Sequence, residues 1–382
     1  MEKVGIICEY NPFHNGHVYH LKKIKEKFPN SLIILVMSSN YTMRGEISLL
    51  NQWDKTRLAL LYGVDLVIEL PTFYSTNSAD TFAEGAIKIL NILKCDYLVF
   101  GSECNNSDLL THLAKTQLNN HDYDMLVKKY MDDGNNYPTS MGKALKDICG
   151  KTINLPNDLL GLSYIKEIIK EDSKIKPITI QRTNDYHDKC TDQSITSATS
   201  IRLAILEKKD ISKNVPKEVL NCLYQEDYYL RLFQFLKYQI INNFNSLDEF
   251  MDVDEGLDNL IRKNIFKSSS YQELVDKIKT KRYTYNRLNR MFLHLLLNMK
   301  KKDIEKLKQI NYIRVLGFNK QGKMYLKKIK KEINIPIITN YSDLNDDNLS
   351  FELHAAFIYH IILNKEALNL QELKSIPIQK ED

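Results

Sequence analysis

Val4-Gly5-Ile6-Ile7-Cys8-Glu9-Tyr10-Asn11-Pro12-Phe13-His14-Asn15-Gly16-His17 is the stretch from which the rest of the chain is read. Val4 to Cys8 is an apolar run short enough for a buried strand, and Glu9 to Phe13 breaks it. From His14 onward the apolar residues fall at Val18, Leu21, Ile24 and Phe28, a helical spacing. Strand, turn and helix in that order put free backbone N–H groups and the positive end of a helix dipole at the carboxyl edge of a first strand, which suits an anion. The two histidines, three residues apart, fall on one face of the first helical turn, and Gly16 lets a ligand approach the backbone. The spacings of a Walker loop and of Gly-x-Gly-x-x-Gly are both missing, so His-x-Gly-His itself reads as a nucleotide phosphate cradle. The structural alternative makes each histidine a surface residue or a helix cap.

Working outward, Leu32 to Met37 and Asp65 to Leu70 read as further strands, Tyr97 to Phe100 as a fourth and Lys176 to Gln181 as a fifth. Trp53 to Tyr62, Ser78 to Leu93 and Leu155 to about Lys170 read as helices. Alternation at this spacing predicts an α/β fold with a Rossmann-like parallel sheet and a ligand at the carboxyl ends of its strands. Gly101 would stand there either to give a turn positive φ or to let a nucleoside approach, and Arg182 at the end of the fifth strand suits a phosphate or base. Asn157 reads as an N-cap on structure alone. After a polar loop from Thr183 to Ser194, Ser197-Ala198-Thr199-Ser200-Ile201-Arg202 opens a helix with three hydroxyls and an arginine. It is a second anion site, or simply a Ser/Thr cap. About 107 to 151 is polar and helical, a candidate insertion with a Gly134-Asn135-Asn136-Tyr137-Pro138 break.

The 382 residues suffice for two or three domains, and 43% hydrophobic with 26% charged residues describes an ordinary soluble chain. No apolar run nears the roughly 20 residues that span a bilayer. Met1-Glu2-Lys3 enters a strand at once, so no signal peptide, no membrane and a cytoplasmic site are expected. Six cysteines (Cys8, Cys95, Cys104, Cys149, Cys190, Cys222) lack any Cys-x-x-Cys pair, so neither a zinc ribbon nor a disulfide framework is indicated. The net charge of +5 hides an asymmetry: residues 276–331 hold 18 Lys and Arg against 3 Asp and Glu, while the remainder is acidic, 35 against 45. A local excess of +15 is suited to a polyanion.

His14-Asn15-Gly16-His17 paired with Ser197 to Arg202 resembles the two phosphate motifs of the nucleotidylyltransferase superfamily. More narrowly, the stretch Gly5 to His17 with Met43-Arg44-Gly45-Glu46, Glu69-Leu70-Pro71, Ser78-Ala79-Asp80, Phe100-Gly101-Ser102-Glu103, Leu155-Pro156-Asn157-Asp158 and Lys281-Arg282-Tyr283-Thr284 resembles the bacterial tRNA(Met) cytidine acetate ligases over nearly the whole chain. The resemblance implies ATP-dependent activation of acetate to acetyl-adenylate, then acetylation of N4 of the wobble cytidine of elongator tRNA(Met). It implies ATP contacts from Ile7, Cys8, Glu9, Tyr10, Asn11, Pro12, Phe13, His14, Asn15, Gly16, His17, Val18, Tyr19 and His20, and from Gly101, Asn157 and Arg182. His14 and His17 are taken as catalytic, and Ser197, Thr199, Ser200 and Arg202 as holding pyrophosphate. Mg²⁺ is expected mainly on phosphate oxygens, since no acidic cluster reads as a protein cage. No residue identifies itself as the base of the transfer step.

A catalytic domain over 1–210 and a mainly helical, basic tRNA-binding domain over 216–382 are expected, with candidate helices at Leu220 to Phe244 and Leu257 to Phe266. Lys281, Arg282, Tyr283, Arg287 and Arg290 are the candidate tRNA contacts. Arg314 to Phe318 and the lysine clusters at 300–302 and 327–331 extend the basic tract, and Tyr283, Tyr285, Tyr312 and Phe318 are candidate stacking rings. The alternative is solvated helix faces with Tyr283 and Tyr312 in the core. Two rival functions are a small-molecule adenylyltransferase and a non-catalytic nucleotide-sensing RNA-binding protein. Oligomeric state is not legible.

Overall fold

The computed structural model describes the chain except for residues 152, 183–193, 225–226, 375 and 381–382. The loop expected from Thr183 therefore lies, up to residue 193, outside the described residues, as does Cys190. β1 (Lys3–Cys8) leads through α1 (Asn15–Lys27), β2 (Leu32–Ser38), α2 (Gln52–Leu61), β3 (Leu66–Leu70), α3 (Thr72–Ser75) and α4 (Ala79–Ile92) to β4 (Tyr97–Ser102). Three helices follow where the polar segment was noted, α5 (Ser107–Asn119), α6 (His121–Asp132) and α7 (Tyr137–Cys149). Next come α8 (Pro156–Lys170), β5 (Lys176–Gln181), α9 (Ala198–Leu206) and α10 (Lys217–Leu220).

β1 to β5 are parallel and lie in the order β5-β4-β1-β2-β3. Every residue of β2 and β3 is buried, which is why these strands read as unbroken apolar runs: both sheet faces are covered by helices. The order reverses between β1 and β4, so the crevice of the sheet opens over the carboxyl ends of those two strands.

The second half of the chain holds α11 (Tyr229–Asn242), α12 (Leu257–Asn264), α13 (Tyr271–Ile278), α14 (Tyr285–Leu296), α15 (Ile304–Leu307), β6 (Ile313–Phe318), α16 (Lys320–Ile329), β7 (Ile337–Ile338), α17 (Asp347–Ile362), α18 (Ala367–Leu373) and β8 (Ile378–Gln379). The helix expected from Leu220 begins at Tyr229 instead, where Asp227 accepts from the Tyr229 N–H. α11 to α14 and α17 surround a core containing Leu236, Ile240, Leu274, Leu288 and Phe292.

One expectation of the basic tract is corrected. Arg314 to Phe318 is not surface but β6, which pairs antiparallel with β3 and carries β7 and β8 on its other side, so the later half of the chain completes the first sheet. Arg314 is fully buried, 2.9 Å from Glu69 Oε2 and 3.0 Å from Glu372 Oε1, and its guanidinium lies on the Tyr341 ring. A net-charge count cannot see this pairing. The lysines of α16 are also remote from the crevice: Tyr325 donates to the Leu93 carbonyl and Lys94 pairs with Glu332, both at the amino ends of the parallel strands.

Removing one member of a buried ion cluster leaves uncompensated charge and costs about 3–5 kcal/mol. Arg314→Ala should therefore lower the urea unfolding free energy by about that amount. A loss below roughly 0.5 kcal/mol, ordinary for a surface site, would return Arg314 to the exposed basic tract.

Candidate active site

A cavity of about 250 Å³ occupies the crevice, lined from β1 by Ile7 to Asn11, from β4 by Phe100 and Gly101, from β5 by Ile180 to Arg182, and from the starts of α1 and α9. Of the residues expected at the nucleotide, Ile7, Cys8, Glu9, Tyr10, Asn11, His14, Gly16, His17, Tyr19, His20, Gly101, Asn157, Arg182, Ser197, Thr199 and Arg202 are on its wall.

The histidines cap the helix that presents them. His14 is the N-cap of α1; its Nδ1 accepts from the Gly16 N–H at 3.0 Å, and His17 Nδ1 accepts from the His14 N–H at 3.2 Å. A backbone N–H only donates, so both Nδ1 atoms are bare and both ring protons sit on Nε2. The rings are 3.8 Å apart between centroids, and the His17 ring is held by Phe13 and Tyr10. Burial, Arg182 and Arg202 push His14 down to about 3. Burial together with His14, His20 and Arg182 holds His17 well below the usual histidine range, and burial with Arg182 lowers His20 to about 4. The site therefore offers neutral N–H donors beside fixed cations. Gly16 has a role beyond that expected of it: a Cβ there would come 2.7 Å from the His14 ring, so glycine makes room for the cap.

Five expected residues stand off the wall. Phe13 is core beneath His17, and Val18 packs in the same layer. Pro12 follows a cis peptide in the turn. Asn15 turns away, donating to the carbonyls of Ser194 and Lys213 at 2.9 Å each, which ties α1 to the approach to α9. Ser200 is buried, its hydroxyl 2.8 Å from that of Ser197, the N-cap of α9. Ser197 is the cap of the structural reading, and Thr199 and Arg202 line the cavity. Arg202 is steered by the Asn11 carbonyl at 2.9 Å and the Glu46 carboxylate at 3.3 Å.

Gly101 lies inside β4 without positive φ, so no turn requires it. A Cβ there would reach Arg182 at 3.4 Å. Asn157 is not the cap expected; α8 starts with Pro156, and Asn157 donates to Glu103 Oε1 at 2.5 Å. Asp158 clasps the end of β4, accepting from the Ser102 hydroxyl at 2.5 Å and the Glu103 and Cys104 N–H groups at 3.0 Å. Among the wall residues that sequence reasoning left unassigned are Met43, Arg44, Phe82, Phe100, Leu160, Tyr164 and Thr196. Met43 and Arg44 were visible only as part of a quoted motif, and the apolar ones are indistinguishable in sequence from core.

The 41–47 loop joins this cavity to the basic helix. Glu9 Oε1 accepts from the Met43 N–H at 2.6 Å, Arg290 donates to the Met43 carbonyl at 3.3 Å, and Gly45, at φ +73°, lies so close to the α14 backbone at Asn289 and Arg290 that no side chain fits. Arg290 is thus a loop anchor on the α14 face. Arg282 is exposed and pairs with Glu255 at 2.7 Å, Lys281 is exposed, and Arg287 covers the Tyr283 ring at 4.9 Å. Tyr283 and Tyr312 are core, as the alternative reading had it, while Tyr285 is 50% exposed.

A family model for HIGH nucleotidyl transferases matches residues 1–374. The chain is 40% identical over 394 residues to the tRNA(Met) cytidine acetate ligase of Caldicellulosiruptor saccharolyticus, covering 99% of this chain and 98% of that one. The chain belongs to the tRNA(Met) cytidine acetate ligase family. A second ligase of that name, from Anoxybacillus flavithermus, is 37% identical over 402 residues, with 99% and 100% covered. Among solved structures, apo Thermotoga maritima TmcAL superposes with a TM-score of 0.90 at 27% identity, and the same protein bound with alpha-thio ATP with 0.88, each over 99% of both chains. Members of this ligase family are enzymes, and the α/β architecture is theirs. Among the described residues no helix is long and apolar enough to cross a membrane.

Neutral histidines have a consequence for stability. The unfolded chain protonates them near 6.5, but the fold resists protonation until well below that. Their contribution is therefore full above pH 6.5 and is lost as pH falls towards the folded values, by about 1–2 kcal/mol between pH 7 and 5 for the fully buried His14. In ligand-free protein the Cε1–H resonances of His14, His17 and His20 should stay flat between pH 8 and 5. A midpoint near 6.5 for His14 or His17 would contradict the neutral state that burial and the neighbouring cations impose.

Proposed function

We propose that this protein activates acetate with ATP to acetyl-AMP and transfers the acetyl group to N4 of the wobble cytidine of elongator tRNA(Met), in the cytoplasm. The observation that carries the first step is one cavity, at the switch point of the sheet, lined together by His14 and His17, whose ring protons sit on Nε2, and by Arg182 and Arg202. N4 of cytosine is a poor nucleophile because its lone pair is delocalised into the ring, so the acyl donor needs a good leaving group, and a mixed anhydride with AMP supplies one.

An acetate oxygen attacks the α-phosphorus in line with departing pyrophosphate. The work is positioning and charge stabilisation more than proton transfer. His14 and His17 donate to phosphate oxygens whose charge grows in the transition state, and Thr199 and Arg202 receive the pyrophosphate. His20 adds a buried Nε2 that finds no hydrogen-bond partner among the described residues. Arg182 and Gly101 flank the nucleoside side, with Asn157 held by Glu103. Mg²⁺ would be carried by the triphosphate rather than by a protein cage, and would supply positive charge for the departing pyrophosphate. No group of three or more His, Cys, Asp or Glu side chains among the described residues is arranged to hold a metal by itself.

RNA is received on the exposed cations Lys281 and Arg282, on the half-buried Arg287 and on Tyr285, with Arg290 behind them holding the loop. An anticodon loop presents its wobble base without melting a duplex.

Two measurements test this reading. Purified protein should exchange pyrophosphate into ATP only when acetate is present, and mass spectrometry of treated tRNA should show one acetylated cytidine at the wobble position. Exchange indifferent to acetate, with or without tRNA, would instead favour a small-molecule adenylyltransferase. For the RNA surface, Arg282→Ala combined with Arg287→Ala should weaken tRNA binding and reduce the slope of log affinity against log salt by about 1–2. An unchanged slope moves the RNA to another face.

A further inference from the structure

Acetyl transfer needs a base, because the N4 amine becomes acidic only as it attacks. We propose that Glu9 is that base. This inference rests on the acetyl-ligase reading above and adds the residue that handles the proton of its second step.

Glu9 is the one carboxylate on the cavity wall among the described residues. The other ionisable groups there are poorly suited to accept a proton. Nδ1 of His14 and of His17 already accepts a backbone N–H, and Nε2 of each carries the proton. Burial pushes the Cys8 thiol up to about 12, and burial holds the Tyr10 and Tyr164 hydroxyls well above the usual range, so they stay protonated and offer no strong base. His20 is lowered to about 4, a weak base. The neighbouring carboxylates of Glu46 and Glu103 stand behind the wall, against Arg202 and Asn157.

Its geometry also fits. Glu9 follows β1 directly and precedes Tyr10, whose φ of +50° turns the chain towards α1, and it lines the same cavity as His14 and His17. Met43 N–H fixes Oε1 at 2.6 Å, while Oε2 makes no hydrogen bond among the described residues. Met43 belongs to the loop that Arg290 and the α14 backbone hold in place, so the carboxylate sits between the adenylation site and the helix proposed to receive RNA. The charged and titratable groups around it are Arg44 and Glu46 on that loop, Lys55 on α2, Cys8 on its own strand and Tyr164 on α8. Burial raises Glu9 above the ordinary carboxylate value, the Met43 N–H and the cations of Arg44 and Lys55 oppose that, and Glu46 adds to it. A carboxylate moved towards neutrality is a better base than an exposed one.

In the step, the N4 lone pair forms a C–N bond to the acetyl carbonyl carbon. The N4 proton passes to Glu9 Oε2. The C–O bond to AMP breaks with its electron pair going to the departing phosphate, and Glu9 later returns its proton to water.

The test uses full-length protein, chemically prepared acetyl-AMP and tRNA(Met) in single turnovers across pH, with acetate-dependent pyrophosphate exchange measured alongside. Glu9→Gln keeps the size of the side chain and an oxygen to accept from Met43. The expected result is a fall in acetyl transfer of about 100-fold or more, the range attributed to a lost general base. The rise of the rate with pH should disappear, and the ratio of transfer to exchange should drop. Glu9→Asp, which keeps a base one methylene short, should recover part of the pH-dependent rate. Transfer by Glu9→Gln within about threefold of wild type overturns the proposal, and so does an equal fall in transfer and exchange, which marks Glu9 as a loop-positioning residue only. Wild-type protein that cannot transfer from acetyl-AMP overturns the acetyl-ligase reading itself, whatever Glu9 does.

Discussion

The hydrogen bond from the Gly16 N–H to Nδ1 of His14 is the constraint on which the site depends. It uses the lone pair that would otherwise make the ring a base, satisfies one of the orphan donors at the start of α1, and leaves the ring proton on Nε2. His17 repeats the arrangement in reverse by accepting from the His14 N–H. The two residues are therefore caps of α1 that also line the cavity, and the geometry of the structural reading is the one the proposed chemistry would use. Glycine at position 16 follows from the same constraint, since a Cβ would collide with the capping ring.

Around this turn the molecule links three regions by short polar contacts. Asn15 reaches the segments flanking α9, Arg202 returns from α9 to the Asn11 carbonyl, and Glu46 pairs with Arg202 from the loop after β2. That loop is wedged by Gly45 against α14, so the cationic helix and the cavity share one backbone segment. Loop geometry, rather than direct contact, connects the charge of the later half of the chain to the chemistry of the earlier half.

The later half is not a separate appendage. β6 pairs with β3, and the ion cluster of Arg314, Glu69 and Glu372 ties three distant stretches of chain together in the dry interior. Such a cluster gives modest net stability but makes misplacing any member costly. The basic excess is accordingly divided among a buried structural arginine, lysines at the amino ends of the strands, and a smaller group on and before α14.

Much of this was legible in the sequence because strand and helix periods are local properties: the five parallel strands, the cradle after β1 and the Ser/Thr motif after β5 all follow from spacing and composition. Motif order likewise sufficed to suggest the family. What the sequence left open depended on burial and on pairing between residues far apart in the chain. Arg314 and Tyr283 look like surface groups until their partners are known, Asn157 looks like a cap until Glu103 is placed, and Met43, Arg44 and Tyr164 reach the crevice only when the sheet has closed. Glu9 lay within the expected motif from the start. Its selection as a base rests on the histidine tautomers and on the lack of another carboxylate along the described wall, and both are decided by tertiary structure, since local sequence specifies an element while packing specifies which lone pairs and charges remain available.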